Sequence, residues 1–537
     1  MLAREFIEDS LYNPNYGYFA TKVEIFDPDR AASSSSSSSA GSSSSTAVDA
    51  TRAEGFDFPS FPSTAAFEDE VARRYMVFEG RGSQGEEPAA GEKVGRQVWH
   101  TPTELFKPWY GRALARYLLS QYLSSPISSA SPASSSAASA SLSSPSSSLT
   151  GSPSPSYPYD DLIIYEIGAG NGTLMGDILD YLAEEAPEVY ARTKYRIIEI
   201  SERLKGMQEE RAAGTSSGRR GKGKGKKVEA EVAGGDSVEK ELEEVRRRGH
   251  EGKVEVVRQS IFEWDRVVEE PCFFLAMEVL DNFPHDVVRY STTTHEPLEC
   301  TIAIDSTGDF TELYTPVTDP LLSRYLSYRT ALSPSPSSTP PLPPGCLPLP
   351  LRLLPPSPAT SAALRTLYKT LPFAPNLSAP EFVPTRQLQL LEVLRDKFPR
   401  HRVVMSDFSS LPDAVEGECG PVVQTRYAGE TVPCTTYLVQ PGFFDIFFPT
   451  DFGALKQMYE LVMSAPPSSA SSPSSSSSSA APTLPPTFFT KRAARRQLQV
   501  HSHAEFLETY AETERTRTRD GANPMLEQYE NVAFVTS

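Results

Sequence analysis

None of the five cysteines, Cys272, Cys300, Cys346, Cys419 and Cys434, stands in CxxC spacing or in a regular framework. That pattern argues against a zinc site and for a reducing compartment. No apolar run approaches the roughly 20 residues that cross a bilayer, so a soluble protein without membrane insertion is expected. The start has neither a signal peptide nor an Arg-rich presequence, because the acids Glu5, Glu8 and Asp9 come too early for one. The residues alone therefore imply a cytoplasmic protein, or a chain whose true start lies upstream. Excess positive charge is also absent. A formal net charge of -18 argues against nucleic acid or an anionic membrane as partner. RRGKGKGKK at 219–227 runs the other way and reads as a solvated insertion, with nuclear targeting or RNA contact as the alternative.

Core-building sequence is missing over long stretches. Residues 31–46 are almost all serine, 124–157 are mostly Ser, Ala and Pro, 333–358 are proline-rich, and 466–486 are serine and proline again. Such segments bury too little apolar surface to offset the entropy of ordering them. What remains is on the order of 350 residues, one large or two modest domains. The chain accordingly divides into an N-terminal segment (1–30), a mostly disordered insertion (31–95), a helical segment of the core (96–124) and a disordered Ser/Pro linker (125–157). A core of strands and helices follows (158–332), carrying the basic insertion 211–251, then a Pro-rich insertion (333–358). The C-terminal part of the core with its cover (359–465), a second Ser/Pro insertion (466–486) and a C-terminal segment (487–537) complete it.

Phe6 to Leu11 predicts a short helix, and Asn13 to Tyr18 supplies turn formers and aromatics. Thr101-Pro102-Thr103-Glu104 has the signature of a helix start, and the apolar spacing Leu105, Trp109, Leu114, Tyr117, Leu118 continues it to about Tyr122. Strands are expected at Leu162 to Ile167, Tyr195 to Ile200, Val254 to Val257 and Phe273 to Met277. An amphipathic helix lies between the first two, Thr173 to Glu185, and Ser201 opens another. Strands alternating with helices imply a doubly wound parallel α/β sheet. Beyond Val287, strand-like runs (Arg402 to Met405, Thr436 to Val439) and helices (Phe382 to Phe398, Asp451 to Met463) suggest more sheet and an α+β cover.

The first β-rich run leads into YEIGAGNGTLMGDILDYL from Tyr165. Gly168, Gly170 and Gly172 between strand and helix bring bare backbone to a ligand, since a Cβ there would collide with it or forbid the turn. A dinucleotide site would read GxGxxG; here the spacing is GxGxG. With Glu166 two residues upstream, the pattern resembles that of class I S-adenosylmethionine-dependent methyltransferases, a Rossmann-like fold. That donor carries a sulfonium and an α-ammonium group and no pyrophosphate, so an acid beside the turn suits it. Glu199, ending the second strand, stands where such folds place an acceptor for the ribose hydroxyls, although NAD sites use one too. The bland alternative is a tight structural turn with Glu199 a surface acid. After the fourth strand comes MEVLDNFPH, in which Glu278 and Asp281 either clamp a planar guanidinium or cap the following turn. His285 is a candidate base or a packed histidine.

Four segments in order resemble the MidA-like mitochondrial complex I assembly methyltransferases: REFIEDSLYNPNYGYF, TPTELF, EIGAGNGTLMGDIL and MEVLDNFPHDVV. With its low-complexity insertions the chain looks like a divergent, fungal-type member. The resemblance implies a type II protein arginine methyltransferase that uses S-adenosyl-L-methionine and forms symmetric dimethylarginine on a core subunit of respiratory complex I in the mitochondrial matrix. It places Glu166, Gly168, Gly170, Gly172 and Glu199 at the donor, and Glu278, Asp281 and His285 at the reacting region. Ala169 and Asn171 depart from the family's Pro and Arg, implying a looser turn with one cation fewer, and Met277 replaces an Asn. Two other functions compete: a non-catalytic assembly or scaffold protein on the same fold, favoured by Met277 and Asn171, and a nicotinamide-dependent oxidoreductase, disfavoured by the GxGxG spacing.

Overall fold

The computed structural model describes residues 1–29, 55–80, 97–124, 161–214, 249–332, 376–465 and 497–537, apart from 251, 293, 295, 413, 418, 428 and 429. The Ser/Pro linker 125–157, the Pro-rich 333–358, the Ser/Pro stretch 466–486, most of the basic insertion and Cys346 lie outside the described residues.

Seven strands form the central sheet: β1 Leu162–Ile167, β2 Thr193–Glu199, β3 Val254–Arg258, β4 Cys272–Met277, β5 His401–Phe408, β6 Gln499–Ser502 and β7 Val532–Thr536. Their order is β3-β2-β1-β4-β5-β7-β6. The first five in that row are parallel, while β7 is antiparallel to both β5 and β6. β1 and β4 are buried along their whole length, which parallel strands covered on both faces require. Side-chain alternation splits β1 between two cores. Leu162 and Ile164 pack with helices Trp109–Ser124, Thr173–Glu185 and His503–Tyr510. Ile163, Tyr165 and Ile167 pack with Pro320–Leu332, Thr385–Lys397 and Phe452–Ser464. The expected α/β doubly wound sheet is therefore present. Its order reverses between β1 and β4, and ligands of such sheets bind at that point, beyond the carboxyl ends of the strands.

A third core is the cover. Helix Ala3–Tyr12 packs there on Val287, Cys300 and Ile302 of a four-stranded antiparallel sheet (Glu381–Val383, Asp286–Tyr290, Pro297–Ile304, Phe310–Pro316) and on Val423 and Ile446 of a three-stranded one (Glu430–Cys434, Val422–Tyr427, Asp445–Phe447). The buried Arg4 ties that helix down through ion pairs with Asp286 and Asp319. No helix among the described residues is long and apolar enough to cross a membrane.

Several expectations need correction. Residues 55–80, placed in the insertion 31–95, carry the helix Thr64–Gly80, and Phe56, Phe58 and Phe67 are buried in an aromatic cluster with Phe106. Five phenylalanines, Phe56, Phe58, Phe61, Phe67 and Phe78, give that segment the apolar surface its serine-rich flank lacks. The helix expected from Thr101 is two, Pro102–Leu105 and Trp109–Ser124, because Pro108 has no N–H to continue the first. Phe382 belongs to a short strand, and the helix starts at Thr385. Thr436 to Val439 forms no strand; Tyr437 and Val439 are nonetheless buried in the cover.

Candidate functional site

A cavity of about 860 Å³ opens where the sheet order reverses, lined by the turn after β1, the ends of β2 and β4, the loop after β4, and residues 8–25 and 99–104. Gly168, Gly170 and Gly172 have φ of +68°, +52° and +73°, conformations that side chains rarely adopt. A Cβ on Gly168 would meet Val279 Cγ2 at 2.6 Å, and one on Gly170 would meet Ile25 Cδ1 at 2.6 Å. The turn is therefore bare because the post-β4 loop and the N-terminal segment press on it. Gly172 starts helix Thr173–Glu185.

The turn is also braced. Thr101 caps its short helix through the Glu104 amide, and the buried Glu104 then reaches across. Its Oε1 accepts from Asn171 Nδ2 (2.9 Å) and Thr173 Oγ1 (2.6 Å), and its Oε2 from Lys107 Nζ (3.2 Å). Arg211 Nη1 donates to the Asn171 carbonyl (3.4 Å) and to Thr173. Asn171, expected to loosen the turn, makes a strut here, and Lys107 and Arg211 bring cations near it.

Glu166 is buried beneath the turn and accepts from the Tyr195 hydroxyl (2.7 Å). Burial pushes its carboxyl up to about 7, the Tyr195 bond pulls it down, and Glu199 adds to the rise. At the end of β2, Glu199 accepts from the Ser201 amide at Oε1 (2.8 Å) and from Gln208 Nε2 at Oε2 (2.9 Å). The Ile200 amide also favours the ionised carboxyl; a carboxylate offers about four lone-pair sites, so capacity remains for a ligand hydroxyl. Gln208 also donates to the Gly170 carbonyl (2.9 Å) and so joins acid and turn.

The loop after β4 brings both Glu278 and Asp281 into the lining of the cavity. Glu278 has φ +53°, and its carboxylate adds to the burial that raises the Tyr110 and Tyr529 hydroxyls. Asp281 is 2% exposed and its Oδ1 accepts no hydrogen bond. Burial raises it well above the usual carboxylate range, and Asp407, Asp445 and Glu278 raise it further. Burial first, then Asp407, does the same to Glu278. These causes favour the protonated forms, and a cation beside them would favour the ionised ones. No helix follows the loop; residues 281–282 form a turn, and the Asn282 amide favours the ionised Asp281 carboxyl, so a turn-capping role stands beside the clamp for Asp281.

His285 is not at the cavity, which corrects its assignment as a base. It is buried, stacks on Phe448 at 3.8 Å between centroids, and its Nδ1 faces the Phe283 carbonyl at 2.7 Å. Burial lowers it to about 3, so it is a neutral packing residue. Tyr12, unforeseen, closes the acidic end by donating to the Asn282 carbonyl (2.9 Å). Glu104, Gln208 and Asp407 were missed as well.

The lining is acidic: Glu8, Glu104, Glu166, Glu199, Glu202, Glu263, Glu278 and Asp281 stand against Arg203 and Arg258. Both arginines are engaged, Arg258 with Glu202 (3.1 Å) and Arg203 with the Val23 carbonyl (2.6 Å). Carboxyls that a cation would ionise outnumber the arginines, so the lining suits a cation better than a phosphate. A bare turn, an acid with free lone pairs at the end of β2 and a negative field fit S-adenosyl-L-methionine. The size falls in the range of about 300–1,000 Å³ usual for small-ligand sites.

Residues 148–467 match the model of a family described as "Putative S-adenosyl-L-methionine-dependent methyltransferase". A curated relative, the protein arginine methyltransferase NDUFAF7 homolog, mitochondrial, of Schizosaccharomyces pombe, is 27% identical over 135 residues. That alignment spans 25% of this chain and only 22% of the relative's length. A crystal structure from Burkholderia thailandensis bound to S-adenosyl-homocysteine overlays with a TM-score of 0.39 at 13% identity, covering 86% of this chain and 72% of that one. A second structure from the same organism gives 0.34 at 14% identity, covering 74% of each.

Proposed function

The chain belongs to this S-adenosyl-L-methionine-dependent methyltransferase family, and we propose that it transfers the methyl group to an arginine side chain of a protein. When bound, S-adenosyl-L-methionine supplies a methyl group on a cationic sulfur that becomes a neutral thioether. The Gly168–Gly172 turn and Glu199 hold the donor end. The observation that carries the acceptor is the bare, buried Oδ1 of Asp281 in the acidic lining. A guanidinium satisfies such an oxygen and spreads its charge toward Glu278. Holding the nitrogen in line at about 3 Å supplies much of the acceleration. As the N–C bond forms the guanidinium nitrogen gives up one proton, and the ionised Glu278 or Asp281 is the base within the cavity that takes it.

The name of the fission-yeast relative supports arginine methylation and a mitochondrial setting, and the motif resemblance supports the finer reading: symmetric dimethylation, on a core subunit of respiratory complex I, in the matrix. A non-catalytic assembly protein is the second reading, favoured by Met277, whose apolar side chain lines the cavity. Labelled methyl transfer to arginine peptides, with lysine peptides as control and acid hydrolysis of the product, separates the two. Symmetric dimethylarginine supports the first; a folded, donor-binding protein that labels nothing supports the second.

A further inference from the structure

The loop that carries Glu278 and Asp281 is held from another strand. Asp407, near the end of β5, is fully buried. Its Oδ2 accepts from the backbone amides of Val279 (3.1 Å), Leu280 (2.7 Å) and Asp281 (3.2 Å), and its Oδ1 from the Phe408 amide (2.8 Å). Three successive N–H groups converging on one oxygen form an anion-binding nest, filled here by a side chain. The neighbouring Ser406 carbonyl accepts from the Glu278 amide (2.8 Å), and the Asp281 carbonyl accepts from the Phe448 amide (2.8 Å). β5 therefore pins the loop on both sides of the left-handed residue Glu278. Asp407 is not among the cavity's lining residues, and its hydrogen bonds go to none of the donor-end groups.

We propose that Asp407 is the positioning residue of the acceptor end: its carboxylate gathers the amides of residues 279–281, holds Glu278 in its left-handed conformation and aims the bare Asp281 oxygen into the cavity. This rests on the reading that the acidic end receives arginine. Asp407 acts through the loop and touches neither substrate.

Its charge has a second consequence. Asp281 is faced by Asp407, Asp445 and Glu278, with Tyr12 across from it, and Glu278 by Asp407, Tyr110 and Tyr529. Burial raises the Asp407 carboxyl itself to about 7 against the pull of the amides it accepts from; where it is charged it opposes ionisation of both acids, so removing it lets them ionise at lower pH and moves the acid limb of the rate profile down.

The test is Asp407→Asn in the full chain. Expected are a tenfold or greater loss of kcat/KM on an arginine peptide, mostly in kcat, and a Kd for S-adenosyl-homocysteine within twofold of wild type. Faster hydrogen exchange at amides 279–281 and a downward shift of the acid limb should accompany them. A merely structural role would weaken donor binding along with turnover and leave the limb in place. Asp407→Ala, assayed with formate and with chloride, serves if the first variant does not fold: formate alone should restore activity by refilling the nest. Wild-type turnover and exchange in Asp407→Asn, or no recovery with formate, overturns the proposal. A wild-type protein inactive on every arginine peptide overturns the arginine reading instead, and the exchange at 279–281 still decides the role of Asp407.

Discussion

Glu199 keeps its carboxylate in place with a hydrogen bond at each oxygen, so its removal tests the donor end without emptying the core. Glu199→Ala should lose about 1.5–3 kcal/mol of S-adenosyl-homocysteine binding, the range for a hydrogen bond to a charged group, read by calorimetry. Asp281→Asn should leave that binding intact and abolish transfer, which a filter assay would show. Because burial favours the protonated forms of Asp281 and Glu278, pairing them with an arginine peptide should be coupled to proton release. Its affinity should therefore rise with pH, and titrations in buffers of different ionisation enthalpy should show net proton release; no release would mean that the peptide does not meet these acids. At this scale residue chemistry was legible wherever the sequence forces it: positive-φ turns choose glycine, and acids at strand ends choose polar ligands. Asp407, Glu104 and Gln208 escaped notice because each acts through partners distant in sequence, and a lone acid in an apolar stretch does not announce which amides it will meet. His285 misled because histidine chemistry is set by burial, which its neighbours do not reveal.

Helices Trp109–Ser124 and Thr173–Glu185 meet where Gly111 faces Asp177; a Cβ on Gly111 would lie 2.4 Å from that of Asp177. The Asp177 Oδ2 is buried without a partner, and burial pushes the carboxyl up to about 8, with Arg211 opposing. An acid raised on folding contributes stability that is complete below its unfolded pKa near 4 and lost as pH rises toward 8. Asp177→Asn should accordingly match wild type at pH 4 and exceed it increasingly up to pH 8, by at least about 1 kcal/mol; melting curves across that range would show it, and parallel curves would refute it. The elements themselves were legible from β1 to the helix after β2, because continuous apolar runs and a 3.6-residue period do not depend on the rest of the chain. The break before Trp109, the strand at Glu381–Val383 and the irregular Thr436 to Val439 were not, because tertiary packing decided each.

Over the whole molecule, net charge and cavity charge have the same sign, which favours cationic partners and disfavours nucleic acid. KM for a basic arginine peptide should rise severalfold between about 0.05 and 0.5 M salt, as the Debye length shrinks. The zwitterionic S-adenosyl-homocysteine should bind with far less change; equal salt dependence would place the peptide away from the acids. The parallel core was readable from alternation of elements, but the crossing order β3-β2-β1-β4-β5-β7-β6 was not, since β6 and β7 come from the last residues of the chain. Nor was the use of residues 8–25 as a wall of the cavity, which depends on the cover sheet beneath them. The most direct measurement is a calorimetric titration of the purified protein with S-adenosyl-homocysteine, with NADH as control and Gly170→Arg as the blocked variant. Micromolar binding of the first ligand alone, lost in the variant, is the predicted result. No binding to a folded wild-type protein, or equal binding of NADH, would contradict the account.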